Sequence, residues 1–361
     1  MINHGANLYD IENKYGYKKN EMIDFSSNIN PLGSSTLAKE ALIKNIDLIS
    51  IYPDSSYSNL KSSISNYCSS NNENIILGSG ATELISSYIN AINPKNALLL
   101  SPVYSEYERE LNKLNCSIKK IYATKEDNFK IDTNNLIDEI NSNTYDLVII
   151  CNPNNPTGFI FNKLEIKKIL ENTNSKIMID ETYIEFTDIK TFSSSFLVNN
   201  FKNLFVIRGT SKFFSTPGIR LGYALLSDEI IKYKISQKID LWNINILASI
   251  MGEIMFLDNE YIKNTFNFIQ EEKEFLFNSL SKINDITPYE SYGNFILCEI
   301  TSKILNGNNL RETLLKEKII IRDCKSFEGL DEYFFRVCVL NKENNRLLID
   351  NLNNIFNKNK A

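Results

Sequence analysis

The sequence predicts an α/β protein in which helices flank a mostly parallel sheet, followed by a smaller α+β unit. Short apolar runs in the middle of the chain end in polar or glycine-rich loops, which is typical of strands buried on both faces. After the first such loop, apolar side chains recur with helical spacing between Leu84 and Ile92. The last hundred residues have a different pattern, in which strands and helices mix, and this predicts a separate α+β unit.

The individual elements follow from these patterns. The predicted strands of the large sheet are residues 75–77, 97–100, 147–151, 177–179 and 204–207. In the smaller unit, the predicted strands are residues 294–300, 319–322 and 333–340, and the predicted helices are residues 310–316 and 343–356. We expect an N-terminal segment over residues 1–45, a large domain over residues 46–255, and a connecting helix with a small C-terminal domain over residues 256–361.

The amino-acid composition excludes some kinds of metal site and argues against some kinds of partner. The 361 residues include 39 Lys and Arg, 44 Asp and Glu and one His, so the net charge is −5. Because His4 is the single histidine, a multi-histidine metal site is excluded, and we expect no metal. The acidic balance argues against a nucleic-acid partner. We expect neither a leader peptide nor a membrane-spanning run. Because the six cysteines form no C-x-x-C pair, we also expect a cytoplasmic protein with reduced thiols.

Polar groups follow the predicted strands at the ends that would meet at one edge of a parallel sheet. The glycine-rich residues 78–82 open a helix whose N–H groups suit an anion, although a tight turn capped by Thr82 explains them equally well. Tyr104 offers an aromatic face to a planar ligand, and ordinary packing is the alternative. Asn155 stands in a loop that two prolines and a glycine stiffen, which favours a fixed amide.

The later strands end in charged groups. Asp180 closes an aliphatic strand, where a carboxylate needs a cationic partner unless it caps a helix, and Tyr183 lies three residues further on. Lys212 follows the next strand and would be a nucleophilic amine there, although most lysines are simply solvated. Arg220 lies in a loop that enters another strand. Together these groups supply the anion site, aromatic face, ring-nitrogen partner and amine that pyridoxal 5'-phosphate requires.

Over nearly its whole length the chain resembles the fold type I pyridoxal-phosphate enzymes of aminotransferase class I and II. Within that group it is similar to the threonine-phosphate decarboxylases and to the histidinol-phosphate aminotransferases. The resemblance is carried by residues 4–7, 24–33, 52–54, 213–220 and 321–324. The N-terminal His-Gly-x-Asn and the Arg-Asp-Cys step at 322–324 favour the decarboxylases, although Ala6 replaces an expected glycine.

The resemblance implies a role for each matching residue. Lys212 would bind the cofactor covalently, Asp180 would pair with its ring nitrogen, and Asn155 and Tyr183 would bind its phenolic oxygen. Tyr104 would stack on the ring. The residues implied at the cofactor phosphate are Gly80, Ala81, Thr82, Ser211, Arg220 and, from a neighbouring subunit, Tyr52. The residues implied at the substrate are His4, Gly5, Asn30, Gly33, Asn155, Arg322 and Arg336, of which Arg336 would bind the carboxylate.

One position departs from the pattern. Similar enzymes often carry Ser or Thr three residues before the lysine, where this chain has Gly209.

The implied activity is decarboxylation of L-threonine O-3-phosphate to (R)-1-amino-2-propanol O-2-phosphate in cobalamin biosynthesis, by a homodimer in which Tyr52 reaches the neighbouring active site. Transamination of histidinol phosphate is the alternative, because the same cofactor residues serve both reactions. A ligand-sensing regulator or an inactive scaffold on the same fold is a further alternative. We also expect the segment around His4 to cover the mouth of the site, with a frayed terminus as the alternative.

Overall fold

The computed structural model describes residues 8–358. Within them the strands are β1 Ile23–Asp24, β2 Ile75–Gly78, β3 Asn96–Ser101, β4 Ser117–Tyr122, β5 Leu147–Cys151, β6 Lys176–Asp180, β7 Leu204–Gly209, β8 Gly222–Leu226, β9 Ile286–Pro288, β10 Phe295–Ile300, β11 Ile319–Ile320, β12 Arg322–Asp323 and β13 Phe334–Cys338. The α-helices are α1 Leu8–Tyr15, α2 Thr36–Lys44, α3 Ser58–Cys68, α4 Ala81–Ile92, α5 Glu106–Lys113, α6 Thr133–Ser142, α7 Lys163–Asn172, α8 Ile189–Phe192, α9 Glu229–Ser236, α10 Ile246–Met255, α11 Asn259–Leu280, α12 Gly307–Lys316 and α13 Lys342–Lys358.

A seven-stranded sheet with the order β2-β8-β7-β6-β5-β3-β4 forms the larger layer. Its strands are parallel except for β8, which runs antiparallel to β2 and β7. The predicted α/β class is therefore confirmed. The edge strand β4 was missed because its sequence mixes lysines with apolar residues, and most of its side chains are only partly covered.

Helices cover both faces of this sheet, which explains the unbroken apolar runs. All five residues of β5 are buried. Leu147 and Ile149 pack into the apolar cluster on one side, whereas Val148 and Ile150 pack into the larger cluster on the other. On the first side, the ring of Tyr88 from α4 stacks on Phe205 of β7 with centroids 3.9 Å apart. Successive residues of a strand point to opposite faces, so a strand covered on both sides has no polar face.

A smaller antiparallel sheet has the order β12-β13-β10-β9, and β1 pairs with β11 as a parallel two-stranded sheet. The prediction of one strand over residues 319–322 was wrong, because Ile321 separates β11 from β12 and the two strands belong to different sheets. Strand β9 was also missed. Since β1 is anchored beside β11, the residues that follow it are directed toward the ends of the large-sheet strands. We keep the division after residues 45 and 255 as a proposal.

Some expectations concern parts that the structure does not describe. His4 and Gly5 lie outside residues 8–358. Over that described span, no helix is both long and apolar enough to cross a membrane. The same span contains no group of three or more His, Cys, Asp or Glu side chains placed to hold a metal ion.

Candidate active site

A cavity of about 300 Å³ lies at the carboxyl ends of the large-sheet strands, under the edge of the smaller sheet. Ligands of open α/β sheets bind in this position. The cavity brings together most of the residues predicted from sequence. Those that line it are Ala81, Thr82, Tyr104, Asn155, Asp180, Tyr183, Ser211, Lys212, Arg220, Arg322 and Arg336.

The amino end of α4 forms one wall of the cavity. Gly80 precedes the helix with a φ of 90° and has no side chain to cap the first N–H groups. The guanidinium of Arg220 packs directly on Gly80, since a Cβ there would lie 2.4 Å from Nη2 of the arginine. A helix amino terminus beside a guanidinium is a suitable site for a phosphate. Thr82 does not cap the helix, because the N-cap position is Gly80.

A second wall is the loop between β5 and α7, whose shape depends on two buried asparagines. The Nδ2 of Asn152 donates to the carbonyl of Phe161 at 2.9 Å, and Oδ1 of Asn152 accepts from the N–H of Phe161 at 2.8 Å. The Nδ2 of Asn154 donates to the carbonyl of Pro102 at 2.9 Å. These bonds leave Asn155 facing the cavity.

Asp180 lies at the base of the cavity and is buried. The hydroxyl of Tyr107 donates to Oδ2 at 2.7 Å, and the backbone N–H of Thr182 donates to Oδ1 at 2.9 Å. The hydroxyl of Thr182 donates to the same Oδ1. Burial raises the pKa of the Asp180 carboxyl, and these hydrogen bonds oppose that shift. Asp180 is not a helix N-cap, because the next helical turn, Ile184–Phe186, begins later and has Tyr183 at its N-cap position.

Lys212 reaches the cavity from the loop after β7. Its Nζ donates to the carbonyl of Ser27 at 2.6 Å. The loop is held by hydrogen bonds from Thr216 to the carbonyl of Thr210 at 3.0 Å and from the N–H of Asn30 to the carbonyl of Lys212 at 3.0 Å. Burial, and then the charge of Arg336, lower the pKa of Lys212 to about 8. A fraction of this amine is therefore neutral near pH 7 and nucleophilic, which excludes an ordinary solvated lysine.

Two tyrosines face the space between Asp180 and Lys212. The hydroxyl of Tyr183 accepts from Nδ2 of Asn28 at 3.2 Å. Tyr104 is half-buried on the cavity wall, and its ring meets that of Tyr107 edge-on at 5.7 Å. An aromatic face is thus available beside the carboxylate that would partner a ring nitrogen.

Two arginines stand side by side on the small-sheet wall. Arg322 of β12 and Arg336 of β13 are register partners. Arg336 is buried, donates from Nη1 to Oδ1 of Asn155 and from Nη2 to the carbonyl of Ser26 at 2.8 Å, and its guanidinium lies 5.1 Å from the ring centroid of Phe295. Burial, and then the charge of Arg336, lower the pKa of Arg322. Two cations this close form a site for a substrate with more than one anionic group.

Four predicted residues do not line the cavity. Gly80 lies behind the guanidinium of Arg220. Asn30 is buried, and its amide donates to the carbonyl of Phe213 at 2.9 Å. The carbonyl of Gly33 accepts from the hydroxyl of Tyr261. Tyr52 is 75% exposed on the outer surface. Gly80 and Asn30 therefore contact the cavity residues Arg220 and Lys212 from behind, whereas Gly33 is bonded to Tyr261 outside the lining. Tyr52 makes no contact with the cavity of its own chain.

Sequence reasoning missed a second set of residues. Tyr107 and Thr182 bind Asp180, and Ser26, Ser27 and Asn28 bind Arg336, Lys212 and Tyr183. Ser326 and Phe327 also line the cavity. Tyr107 and Thr182 stand close to predicted site residues in sequence, and this proximity was the available signal. The contacts of residues 26–28 join positions more than 150 residues apart, which no local pattern indicates.

The donor set fits pyridoxal phosphate, the cofactor that the resemblance implies. The buried carboxylate of Asp180 suits a protonated ring nitrogen, the helix amino terminus with Arg220 suits the phosphate, and the amine of Lys212 suits the aldehyde. Gly209 also lines the cavity, and a Cβ there would lie 3.6 Å from that of Ala81. A serine would therefore fit at this position, where similar enzymes often carry Ser or Thr.

Comparison with known proteins agrees with this geometry. The model of the family described as aminotransferase class I and II matches residues 20–352. A provisionally named threonine-phosphate decarboxylase of Caldanaerobacter subterraneus subsp. tengcongensis is 39% identical over 359 residues, which cover 98% of this chain and 94% of the relative. The adenosylcobalamin biosynthesis bifunctional protein CobDQ of Leptospira interrogans is 35% identical over 98% of this chain, which spans 41% of that relative's length.

The fold of the chain is also similar to that of solved structures. The crystal structure of the histidinol-phosphate aminotransferase from Clostridium acetobutylicum superposes with a TM-score of 0.86 at 35% identity, covering 92% of this chain and 99% of that one. Relatives named for a decarboxylase and for an aminotransferase are thus both close. The matched length, the fold and the cavity residues lead to one conclusion: the chain belongs to the class I and II aminotransferase family.

Proposed function

We propose that the protein is a pyridoxal-phosphate-dependent decarboxylase of L-threonine O-3-phosphate. Its products would be (R)-1-amino-2-propanol O-2-phosphate and carbon dioxide, and its pathway would be cobalamin biosynthesis. The observation that carries this proposal is the pair Arg322 and Arg336, which share one cavity wall with Lys212. Phosphothreonine carries a carboxylate on Cα and a phosphate on the adjacent carbon, so two neighbouring guanidinium groups suit it. Histidinol phosphate carries a phosphate and no carboxylate.

Pyridoxal phosphate is the cofactor, and when bound it supplies an aldehyde for the substrate amine and a ring that accepts the electron pair of a cleaved Cα bond. Asp180 would hold a proton on the ring nitrogen, and Tyr183 and Asn155 would hydrogen-bond the phenolic oxygen. Tyr104 would lie against the ring. The amino end of α4, with Thr82, Ser211 and Arg220, would hold the phosphate.

The proton chemistry of this reaction falls to Lys212. Loss of carbon dioxide leaves an electron pair at Cα, and one proton must be delivered there to complete the product. With its pKa near 8, Lys212 carries a proton in a large fraction of molecules at pH 7 and can release it to an adjacent carbon. When it is not engaged, its ammonium group is held by the carbonyl of Ser27.

The orientation of the substrate decides between the two candidate reactions. A Cα bond breaks most readily when it stands perpendicular to the ring, where its electrons enter the π system. A carboxylate placed there by Arg336 gives decarboxylation, whereas a hydrogen placed there begins transamination. Histidinol-phosphate aminotransferase remains the second candidate, because the relative of that name shares 35% of its residues and the same fold.

The decisive experiment supplies phosphothreonine to the purified holoenzyme and measures carbon dioxide release. We expect release from phosphothreonine and little from threonine, which lacks the phosphate. A Lys212→Ala variant serves as the inactive control. Turnover of histidinol phosphate with 2-oxoglutarate, without carbon dioxide from phosphothreonine, would overturn the proposal in favour of the aminotransferase. A purified protein with no borohydride-reducible chromophore would contradict both the decarboxylase and the aminotransferase.

We also propose that the protein forms a homodimer. Large apolar side chains are exposed at the end of α2, between α2 and α3, and in the segment before α10. They are Ile43, Ile46, Ile49, Ile51, Tyr52, Leu241 and Trp242. The rings of Tyr52 and Trp242 pack at 4.5 Å, which joins the two segments into one patch. An apolar patch of this kind is typical of a subunit interface, and Tyr52 would then reach a partner's cofactor phosphate. Light scattering at twice the chain mass would support this, and a monomer would refute it.

A cytoplasmic location is a further proposal. All six cysteines are buried and free of disulfide bonds in the described residues, as expected in a reducing compartment.

A further inference from the structure

Residues 26–28, which we call the strap, make three consecutive contacts with the cavity. The carbonyl of Ser26 accepts from Nη2 of Arg336 at 2.8 Å. The carbonyl of Ser27 accepts from Nζ of Lys212 at 2.6 Å. These two contacts use the backbone, so the side chain at either position is not required for them. The third contact is made by a side chain and therefore depends on residue identity.

That third contact joins Asn28 to Tyr183. The side chain of Asn28 is fully buried, and its Nδ2 donates to the hydroxyl oxygen of Tyr183 at 3.2 Å. An amide nitrogen can only donate, whereas a phenol has one hydrogen and accepts through its lone pairs. With a lone pair taken by Asn28, the single hydrogen of Tyr183 is left for another acceptor.

We infer that Asn28 is a positioning residue that turns the hydroxyl hydrogen of Tyr183 into the cavity. The inference rests on the proposed role of Tyr183, in which that hydrogen is donated to the phenolic oxygen of the cofactor. Tyr183 lines the cavity, and its ring is fixed edge-on against Phe295 at 5.0 Å. The ring therefore has little freedom, and the direction of the O–H bond is what Asn28 controls.

The fold holds Asn28 in place without help from a ligand. Its backbone φ is 56°, a left-handed conformation that asparagine tolerates better than most residues. Its carbonyl accepts from Nδ2 of Asn294 at 3.0 Å. The Oδ1 of Asn28 is buried and has no hydrogen-bond partner among residues 8–358. Burying an amide oxygen without a hydrogen-bond partner costs free energy, so packing alone does not account for an asparagine here. The hydrogen bond that Asn28 donates to Tyr183 does account for it.

The test follows the absorbance of the bound cofactor as pH is varied. A hydrogen donated to the phenolic oxygen stabilises negative charge there, so its loss lets the bound cofactor keep its titrating proton to higher pH. We expect Asn28→Gly, which keeps the left-handed backbone, to move the titration midpoint upward by about one pH unit. Tyr183→Phe should move it at least as far. The double variant should show no shift beyond that of Tyr183→Phe, because Asn28 acts through the hydroxyl.

Comparing the two single variants with the double variant also separates the effect of Asn28 from other influences on Tyr183. Arg336, Asp180 and Cys151 bias the same hydroxyl electrostatically, but they are kept in every variant and cancel in the comparison. If Tyr183→Phe shifts the midpoint and Asn28→Gly does not, the inference is overturned and the role of Tyr183 stands. If Tyr183→Phe causes no shift, both fail, although carbon dioxide release can still support the proposed function.

A further variant guards against a loss of folding. Asn345→Ala removes another fully buried amide, which bonds Glu272 away from the cavity. It should lower the Tm and leave the cofactor titration unchanged.

Discussion

Thr182 offers a sharp test of how the protein controls the buried carboxylate of Asp180. Both the backbone N–H and the hydroxyl of Thr182 donate to Oδ1, and Tyr107 donates to Oδ2 at 2.7 Å. Substitution Thr182→Val removes one of these three donors. The shape of the side chain is kept, including the methyl group that would lie 3.8 Å from a Cβ at Gly209.

The size of the effect follows from the bond that is lost. A hydrogen bond to a charged group contributes about 1.5–3 kcal/mol, and one pKa unit corresponds to about 1.4 kcal/mol. Burial already raises the pKa of Asp180, and the hydroxyl of Thr182 counteracts that shift. Its removal should therefore raise the pKa of Asp180 by a further 1 to 2 units, roughly. Asp180 then becomes protonated at higher pH, and its pairing with a cationic ring nitrogen is lost earlier on acidification.

The assay is the dissociation constant of pyridoxal phosphate, measured by absorbance from about pH 5 to about pH 9. In Thr182→Val the acid limb should move upward by about 1 to 2 pH units, with little change at the alkaline end. Thr182→Ser keeps the hydroxyl and should behave like the parent. Thr187→Val removes another buried hydroxyl, which bonds the carbonyl of Ile184, and should leave the limb unmoved. If Thr182→Ser and Thr182→Val shift the limb equally, the hydrogen bond is not the cause and the reasoning is refuted.

Three other outcomes follow from the site. Cofactor-free protein should bind pyridoxal phosphate at a rate that rises with pH and levels off above about 8, because burial and Arg336 lower the pKa of Lys212 to about 8. Stopped-flow absorbance measures this rate, and a rate that still rises at about pH 10 would contradict the prediction. Arg336→Gln should reduce kcat/KM for phosphothreonine by about 10- to 100-fold through loss of a charge-assisted bond, and an unchanged value would exclude carboxylate binding by this residue. Gly209→Ser should fold normally, because its Cβ would lie 3.6 Å from that of Ala81; equilibrium dialysis should show cofactor affinity equal or higher, and a clear loss would contradict the available space.

The site residues at the ends of the strands could be predicted because the local sequence pattern marks each of them. A strand buried on both faces is mostly apolar, so a polar group at its carboxyl end stands out, as Asp180 does at the end of β6. Lys212 and Asn155 follow their strands through loops whose glycine or proline residues also mark them. The topology then places these ends at one edge of the sheet, and the cavity forms there.

The rest of the site depends on contacts between distant segments. Strand β1 is two residues long and pairs with β11 almost 300 residues later, so neither short run could be assigned from its own pattern. That pairing is what carries residues 26–28 to Lys212. The smaller sheet likewise brings Arg322 beside Arg336, although each arginine alone looks like many others on a strand.

A buried ion pair explains why Asp180 points into the cavity. Arg208 of β7 is fully buried, and its Nε donates to Oε2 of Glu181 at 3.0 Å. The N–H of Glu181 also continues the ladder to Ile207 at 2.8 Å. Such a pair contributes little net stability, because desolvation offsets most of the Coulomb attraction. Its effect is on direction: successive side chains of a strand point to opposite faces, so holding Glu181 on the far side of the sheet turns Asp180 toward Lys212. The carboxylate that would meet the ring nitrogen is therefore oriented by its own donors and also by a bond made one residue away, on the opposite face.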